Sequence, residues 1–238
     1  MKQTLLAVAL GAALVSTTAT AVELKTEEQK VSYSVGLMVG EQLKNVPNID
    51  FDAFIAAAKA TYNGDEPKLT PDQVREVMTA FQQKQMEEQK KAFAKISEGN
   101  LEKGKKYSAE NGKKKGVKTT ESGLQYEMLN AGKGASPTAE DVVKVHYHGT
   151  LIDGTVFDSS VERNEPVSFP LNGVIPGWIE GLQMMKVGEK ARFVIPADLA
   201  YGPAGTGPNS PIGPNETLIF EVELFEINPG AEESAAAK

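Results

Sequence analysis

Two serines and two histidines are the first residues here that invite a chemical reading. His146 and His148 flank Tyr147 in "VHYHG", and Ser159 and Ser160 follow in "FDSS". A serine beside a histidine is the start of an acyl-transfer site, in which the imidazole takes the hydroxyl proton. The chain has no Gly-x-Ser-x-Gly turn to lift such a serine out of a sheet, and both histidines fall in a strand-like run. Two histidines two apart share one strand face and could hold a metal weakly, but no third ligand accompanies them. The loop "GPAGTGPNSPIGPNE" lacks the Gly-Lys-Ser/Thr and following helix of a phosphate loop. A different chemistry is offered by "GVIPGWIEGL", Gly173 to Leu182, which contains the chain's single tryptophan. A tryptophan at the start of a short helix is either plain core or the floor of a pocket that offers its flat ring to a ligand. By pattern alone Trp178, Phe157 and Phe220 read as core, and Asp158 reads as a turn or cap residue as readily as a functional one.

The elements that must position these residues change character near Gly116. Beyond it, short runs rich in β-branched and aromatic residues are separated by Gly, Pro, Asn and Asp. "VVKVHYHG" and "TLIFEVELFEI" alternate as half-buried strands do, and Asp153-Gly154 in "LIDGTVF" is a hairpin signal. One helix is evident, over Gly177–Met185. The pattern predicts a mostly antiparallel sheet with a helix over one face, an α+β arrangement.

Before Gly116 the pattern is helical. Val31, Val35, Met38, Val39 and Leu43 follow a 3.6 period, and "FDAFIAAAKATY" is a second apolar helix stopped at Asn63-Gly64. Gly36 and Gly40 weaken the first helix, for which close approach of another helix is a reason. Thr70, Pro71 and Gln73 form a capping box that opens a long helix. Its stretch "QQKQMEEQKK" is polar on all sides, as in a helix that bridges between domains; a flexible charged linker is the alternative.

The first residues read as an export signal: Lys2, an apolar run from Leu5 to Val15 that is shorter than the roughly 20 residues of a membrane span, and the small-x-small site Ala19-Thr20-Ala21. There is no cysteine, so no disulfide framework and no lipid attachment through Cys after cleavage. The expectation is a periplasmic protein beginning at Val22, with no membrane span. With 40% hydrophobic and 24% charged residues the composition is that of a soluble globular protein. From Thr119 onward 17 acidic residues stand against 7 basic ones, and this half repels nucleic acid.

The motifs "VHYHGTLIDGTVFDSSVERNEPVSF", "GVIPGWIEGL", "IPADLAYG" and "TLIFEVELFEI" resemble, in order and spacing, those of the FK506-binding-protein (FKBP) family of peptidyl-prolyl cis–trans isomerases. The first half, through "SYSVGLMVGEQL" and "KGKKYSAENGKKKGVKTTESGLQY", resembles the helical dimerisation domain of the exported Mip/FkpA-like group. The resemblance implies a five- or six-stranded antiparallel sheet curled around the short helix, and no cofactor or metal. It divides the chain into a signal peptide (1–21), a helical dimerisation domain (22–69), a long connecting helix (70–118), an isomerase domain (119–228) and a flexible tail (229–238). It places Tyr147, Phe157, Asp158, Trp178, Tyr201 and Phe220 in the catalytic pocket, and Val174, Ile175, Arg163, Val167 and Ile212 around the bound substrate. Trp178 is then the floor, Arg163 sits at the rim beside Asp158, and Asp158 orients Tyr201 or Arg163. Val167 stands where many members have an aromatic residue. The implied partners are proline-containing unfolded polypeptides, a second copy of the chain, and FK506- or rapamycin-like ligands. A polypeptide-binding chaperone with little isomerase role is the alternative.

Overall fold

The structure, a computed structural model, describes residues 23–229. The expected export signal and nearly all of the expected tail lie outside those residues. The chain divides into two compact units between Val74 and Arg75.

In the first unit, α1 (Glu27–Leu43) starts at Thr26, whose hydroxyl accepts from the Gln29 backbone while the Gln29 side chain accepts from the Thr26 N–H. This capping box satisfies donors that the first turn leaves unpaired. Asp50 caps α2 (Phe51–Asn63) through the Ala53 N–H, and Gly64 ends it in the left-handed conformation at φ +76°, which glycine adopts without steric cost. Neither helix has a buried residue. Val31, Val35, Leu37, Met38, Phe51, Ile55 and Tyr62 are all exposed. The close approach expected at Gly36 and Gly40 does not occur within one chain, since nothing lies within 4 Å of a Cβ built at either.

The long helix α3 spans Pro71–Asn111. Thr70 and Gln73 exchange the two hydrogen bonds of its capping box. Its polar middle is exposed and carries the i,i+4 pair Lys91–Glu87 at 2.7 Å. The expectation of a connecting helix to residue 118 needs correction. The helix stops at Asn111, and its last four turns form one wall of the second unit. The glycines there serve contact: a Cβ on Gly104 would stand 2.2 Å from Thr217 Oγ1, and one on Gly112 would stand 2.9 Å from Gln125 Nε2. Buried Asn111 donates to Gln125 Oε1 at 2.8 Å, and Gln125 donates in turn to the Ser108 carbonyl at 2.7 Å.

Seven strands follow: β1 (Val117–Thr119), β2 (Gln125–Asn130), β3 (Val142–Leu151), β4 (Val156–Ser159), β5 (Val167–Pro170), β6 (Lys190–Ile195) and β7 (Leu218–Ile227). All pairings are antiparallel, in the order β1-β2-β6-β7-β3-β4, with β5 also on β3. The count exceeds the five or six expected because the outer edge of β3 takes two short strands, β5 on Val142–Val145 and β4 on His148–Thr150. Alternation sets the faces. Val143, Val145 and Leu151 of β3, and Leu218, Phe220, Val222 and Leu224 of β7, are buried. Onto that face packs α4 (Pro176–Met184), with Pro176 in its first turn, where a missing N–H costs nothing. A Cβ on Gly177 would lie 2.4 Å from Ile195 Cγ2, and one on Gly181 would lie 2.9 Å from the Phe193 ring. Bare backbone therefore lets the helix settle deep on the sheet. No helix of the described residues is long and apolar enough to cross a membrane.

Candidate active site

Between α4 and the open end of the sheet lies a cavity of about 780 Å³. Its floor is Trp178, only 5% exposed. Phe220 meets the indole edge-on at 5.0 Å between ring centroids, Tyr147 edge-on at 5.3 Å, and Phe169 tilted at 5.5 Å. Phe157 stands edge-on to Phe220 at 5.2 Å. These are favoured arrangements, because a positive ring edge meets a negative ring face. Gly149 of β3 makes them possible: a Cβ there would fall 2.8 Å from the Phe157 ring and 2.9 Å from Phe220.

Each element supplies one part of the wall. Tyr147 comes from β3, Phe157 and Asp158 from β4, Val167 and Phe169 from β5, and Val174 and Ile175 from the approach to α4. Tyr201, Thr206, Ser210 and Ile212 come from the irregular segment before β7. Ile175 is the N-cap residue of α4; its carbonyl accepts from Trp178 and Ile179. Of the residues that the family resemblance places in the site, all line the cavity except Arg163, which is exposed at its edge. Phe169 was missed, although it lies two residues from Val167 on the same strand face. It supplies an aromatic wall where Val167 is aliphatic.

The polar corner is a triad. The Tyr147 hydroxyl donates to Asp158 Oδ2, and Arg163 Nη1 donates to Asp158 Oδ1 at 2.6 Å. Arg163 Nη2 also reaches the Tyr147 oxygen at 3.2 Å. Asp158 therefore orients Tyr147 and Arg163; of the two expected alternatives, Tyr201 is not the partner it holds. Burial pushes the Asp158 carboxyl upward, but the bonds from Tyr147 and Arg163 and the guanidinium charge outweigh it and hold the carboxyl below the ordinary aspartate range. The Tyr147 hydroxyl is pushed up by burial and by donating to a carboxylate, and Arg163 is raised by the same two partners. The indole Nε1 of Trp178 is buried with no hydrogen-bond partner.

The serines and histidines do not enter this cavity. Ser160 is fully buried; its hydroxyl accepts from the Tyr147 N–H at 2.7 Å and touches His146 Nδ1 at 2.7 Å. Ser159 pairs with His148 Nδ1 at 3.0 Å and accepts from the Glu162 N–H at 3.1 Å. They fasten the turn after β4 to β3. Among the described residues no group of three or more His, Cys, Asp or Glu side chains could hold a metal ion.

Residues 133–225 match the FKBP-type peptidyl-prolyl cis-trans isomerase family, and residues 28–128 match the family described as the domain amino terminal to FKBP-type peptidyl-prolyl isomerase. A probable FKBP-type peptidyl-prolyl cis-trans isomerase FkpA of Neisseria meningitidis serogroup B is 47% identical over 88% of this chain and 77% of its own length. The chain belongs to the FKBP family of prolyl isomerases. The outer membrane protein MIP of Legionella longbeachae is 40% identical over 95% of this chain and 96% of its own. The crystal structure of FkpA from Escherichia coli superposes with a TM-score of 0.74 at 40% identity, covering 87% of this chain and 99% of that one. The helical first part and the FKBP-type sheet with its short helix are thus shared with a solved relative.

A carboxyl group lowered in the fold contributes stability that is present above its ordinary pKa and is lost as pH falls through the lowered one. The Asp158 triad should therefore leave kcat/KM level from about pH 8 to about pH 5, with loss only below the ordinary aspartate value near 4. Buried Glu189 is raised by burial, so its effect runs the other way and does not mimic an acid loss. Asp158→Asn should remove the acid limb in a pH profile of prolyl turnover. A wild-type limb centred at about pH 6 would contradict this assignment.

Proposed function

We propose that this cavity accelerates rotation about X–Pro bonds in exported polypeptides by holding the twisted amide in an apolar enclosure. The observation that carries the reading is the buried Trp178 indole, walled by Tyr147, Phe169 and Phe220. Rotation costs about 18–20 kcal/mol because amide resonance is lost at the twisted state, and the exchange takes tens to hundreds of seconds unaided. No covalent bond forms or breaks, so neither a nucleophile nor proton transfer is required. The planar amide carries more charge separation than the twisted one, and removal of water disfavours it relative to the twisted form. In this reading the pyrrolidine ring lies on the Trp178 face. The Ile175 N–H and the Tyr201 hydroxyl hold the flanking carbonyls, and Asp158 with Arg163 fixes the Tyr147 wall. The same cavity suits FK506- or rapamycin-like ligands, with Phe169 compensating for Val167.

The first unit has a second role in this reading. Its two helices expose Val31, Val35, Leu37, Met38, Phe51 and Ile55 without burying any residue. A second copy would cover them at roughly 25 cal/mol per Å², in a twofold interface. Two isomerase sites on one assembly raise the effective concentration for a client with several prolines, the basis of a chaperone contribution. The location we assign is the periplasm, after cleavage at Ala21.

Trp178→Ala should lower kcat/KM on a prolyl tetrapeptide by about tenfold or more, a loss of ~1.4 kcal/mol in transition-state binding. Tyr201→Phe should lower it by about three- to tenfold, the worth of one hydrogen bond. Full turnover in either folded variant removes that residue from the site. Light scattering should give twice the chain mass for the wild type and the single-chain mass for the double variant Leu37→Glu, Met38→Glu; a monomeric wild type at micromolar concentration rules the dimer out. The intact mass of protein recovered from periplasm should correspond to a chain beginning at Val22, and a chain retaining Met1 contradicts export with cleavage.

A further inference from the structure

One wall of the cavity is the segment from Gly202 to Thr217, which beyond a single 3-10 turn at Gly202–Ala204 has no regular structure and brings Thr206, Ser210 and Ile212 to the site. A segment of this kind loses backbone entropy at every residue on ordering, so it must be fastened. Part of the fastening is internal: Thr206 N–H donates to the Ile212 carbonyl at 3.1 Å, and Asn215 N–H donates to the Gly202 carbonyl at 2.9 Å. Asn215 itself sits at φ +54°. Among the described residues, the hydrogen bonds that tie the segment to anything outside it go to α3. Asn100 Nδ2 donates to the Pro214 carbonyl at 3.0 Å, and Asn215 Nδ2 donates to Ser97 Oγ at 2.8 Å. One turn further on, Gly104 gives Thr217 the room noted above. Ser97, Asn100 and Gly104 are three and four residues apart, so they share one helix face. Pro214 and Ile212 are both buried and only two residues apart, so the clamp acts at short range on a side chain of the cavity.

We propose that Ser97 and Asn100 of α3 are positioning residues for prolyl isomerisation, holding the 202–217 segment so that Ile212 closes the substrate cavity. Neither touches the cavity. Their effect passes through Asn215 and Pro214 to Ile212, and it appears as weaker substrate binding. The proposal rests on the isomerase reading of the site. The wild-type rate on the same peptide tests that reading by itself, and the variants are read only against it.

The experiment uses the full chain and a prolyl tetrapeptide, with kcat and KM measured separately for wild type, Ser97→Ala, Asn100→Ala, the double variant, and Glu98→Ala as an exposed neighbour on the same helix. Trp178 is the single tryptophan, so its emission reports the folded fraction of each sample. The double variant should raise KM by about tenfold with kcat changed less than about twofold, from loss of two hydrogen bonds. Each single variant should raise KM about two- to threefold, and Glu98→Ala should leave both constants at the wild-type value. Asn100→Asp keeps the side chain's shape but turns an acceptor toward the Pro214 carbonyl, so it should match or exceed Asn100→Ala. If the double variant loses the native Trp178 emission, the milder Ser97→Ala decides the matter. Folded variants with wild-type kcat and KM, whatever their melting temperature, would show that the clamp only adds stability and would overturn the proposal.

Discussion

The depth at which α4 sits on the sheet governs the rest of the second unit. Gly177 and Gly181 present bare backbone to Ile195 and Phe193, with no space for even a methyl group at either contact. Interiors are packed as densely as organic crystals, so a helix held further out would leave a gap that the side chains could not fill. At the depth observed, the Trp178 indole falls between the rings of Tyr147, Phe169 and Phe220 and becomes a floor. Gly149 performs the matching service on β3 by letting Phe157 and Phe220 meet across it. The cavity thus exists because three small residues let large ones converge.

A rigid apolar floor needs a polar edge that is fully paired. Asp158 is the hinge of that edge, accepting from both Tyr147 and Arg163. Arg163 is exposed, so its charge contributes mainly by holding geometry, since solvent screens an ion pair at the surface. A similar use of paired polar groups recurs where the sheet meets α3, at Asn111 with Gln125. Elsewhere Glu189 is kept in the interior by the Tyr126 hydroxyl and the Lys186 N–H. Asn111, Gln125 and Glu189 thus use hydrogen bonds to tie separate elements together.

The first unit presents the opposite case. Its caps are well formed, with Thr26 and Gln29 at one helix and Asp50 and Gly64 at the other, yet its apolar side chains face outward. Helices this short gain most of their stability from packing of an apolar face rather than from propensity. The local signals and the lack of any buried residue in α1 and α2 together leave that face in want of a partner, which is why a second copy enters the functional reading.

Much was legible in the sequence because it was local. Thr70 with Gln73 marked the start of α3, Asn63-Gly64 the end of α2, Asp153-Gly154 the β3–β4 hairpin, and the alternation in "TLIFEVELFEI" set the inward face of β7. The spacing of motifs around Tyr147, Asp158, Trp178 and Tyr201 pointed to one family, and the family shared by the relatives agrees. Other features depend on residues far apart in the chain, and no periodicity reports them. The partner of Asp158 was decided by how the turn after β4 folds back to bring Arg163 beside Tyr147. The role of Phe169 was decided by β5 pairing with β3. The purpose of Gly104 was decided by the approach of Thr217, more than a hundred residues away. A helix or hairpin is specified by neighbours a few residues apart, whereas a pocket wall is specified by whichever distant backbone can come close enough to touch it.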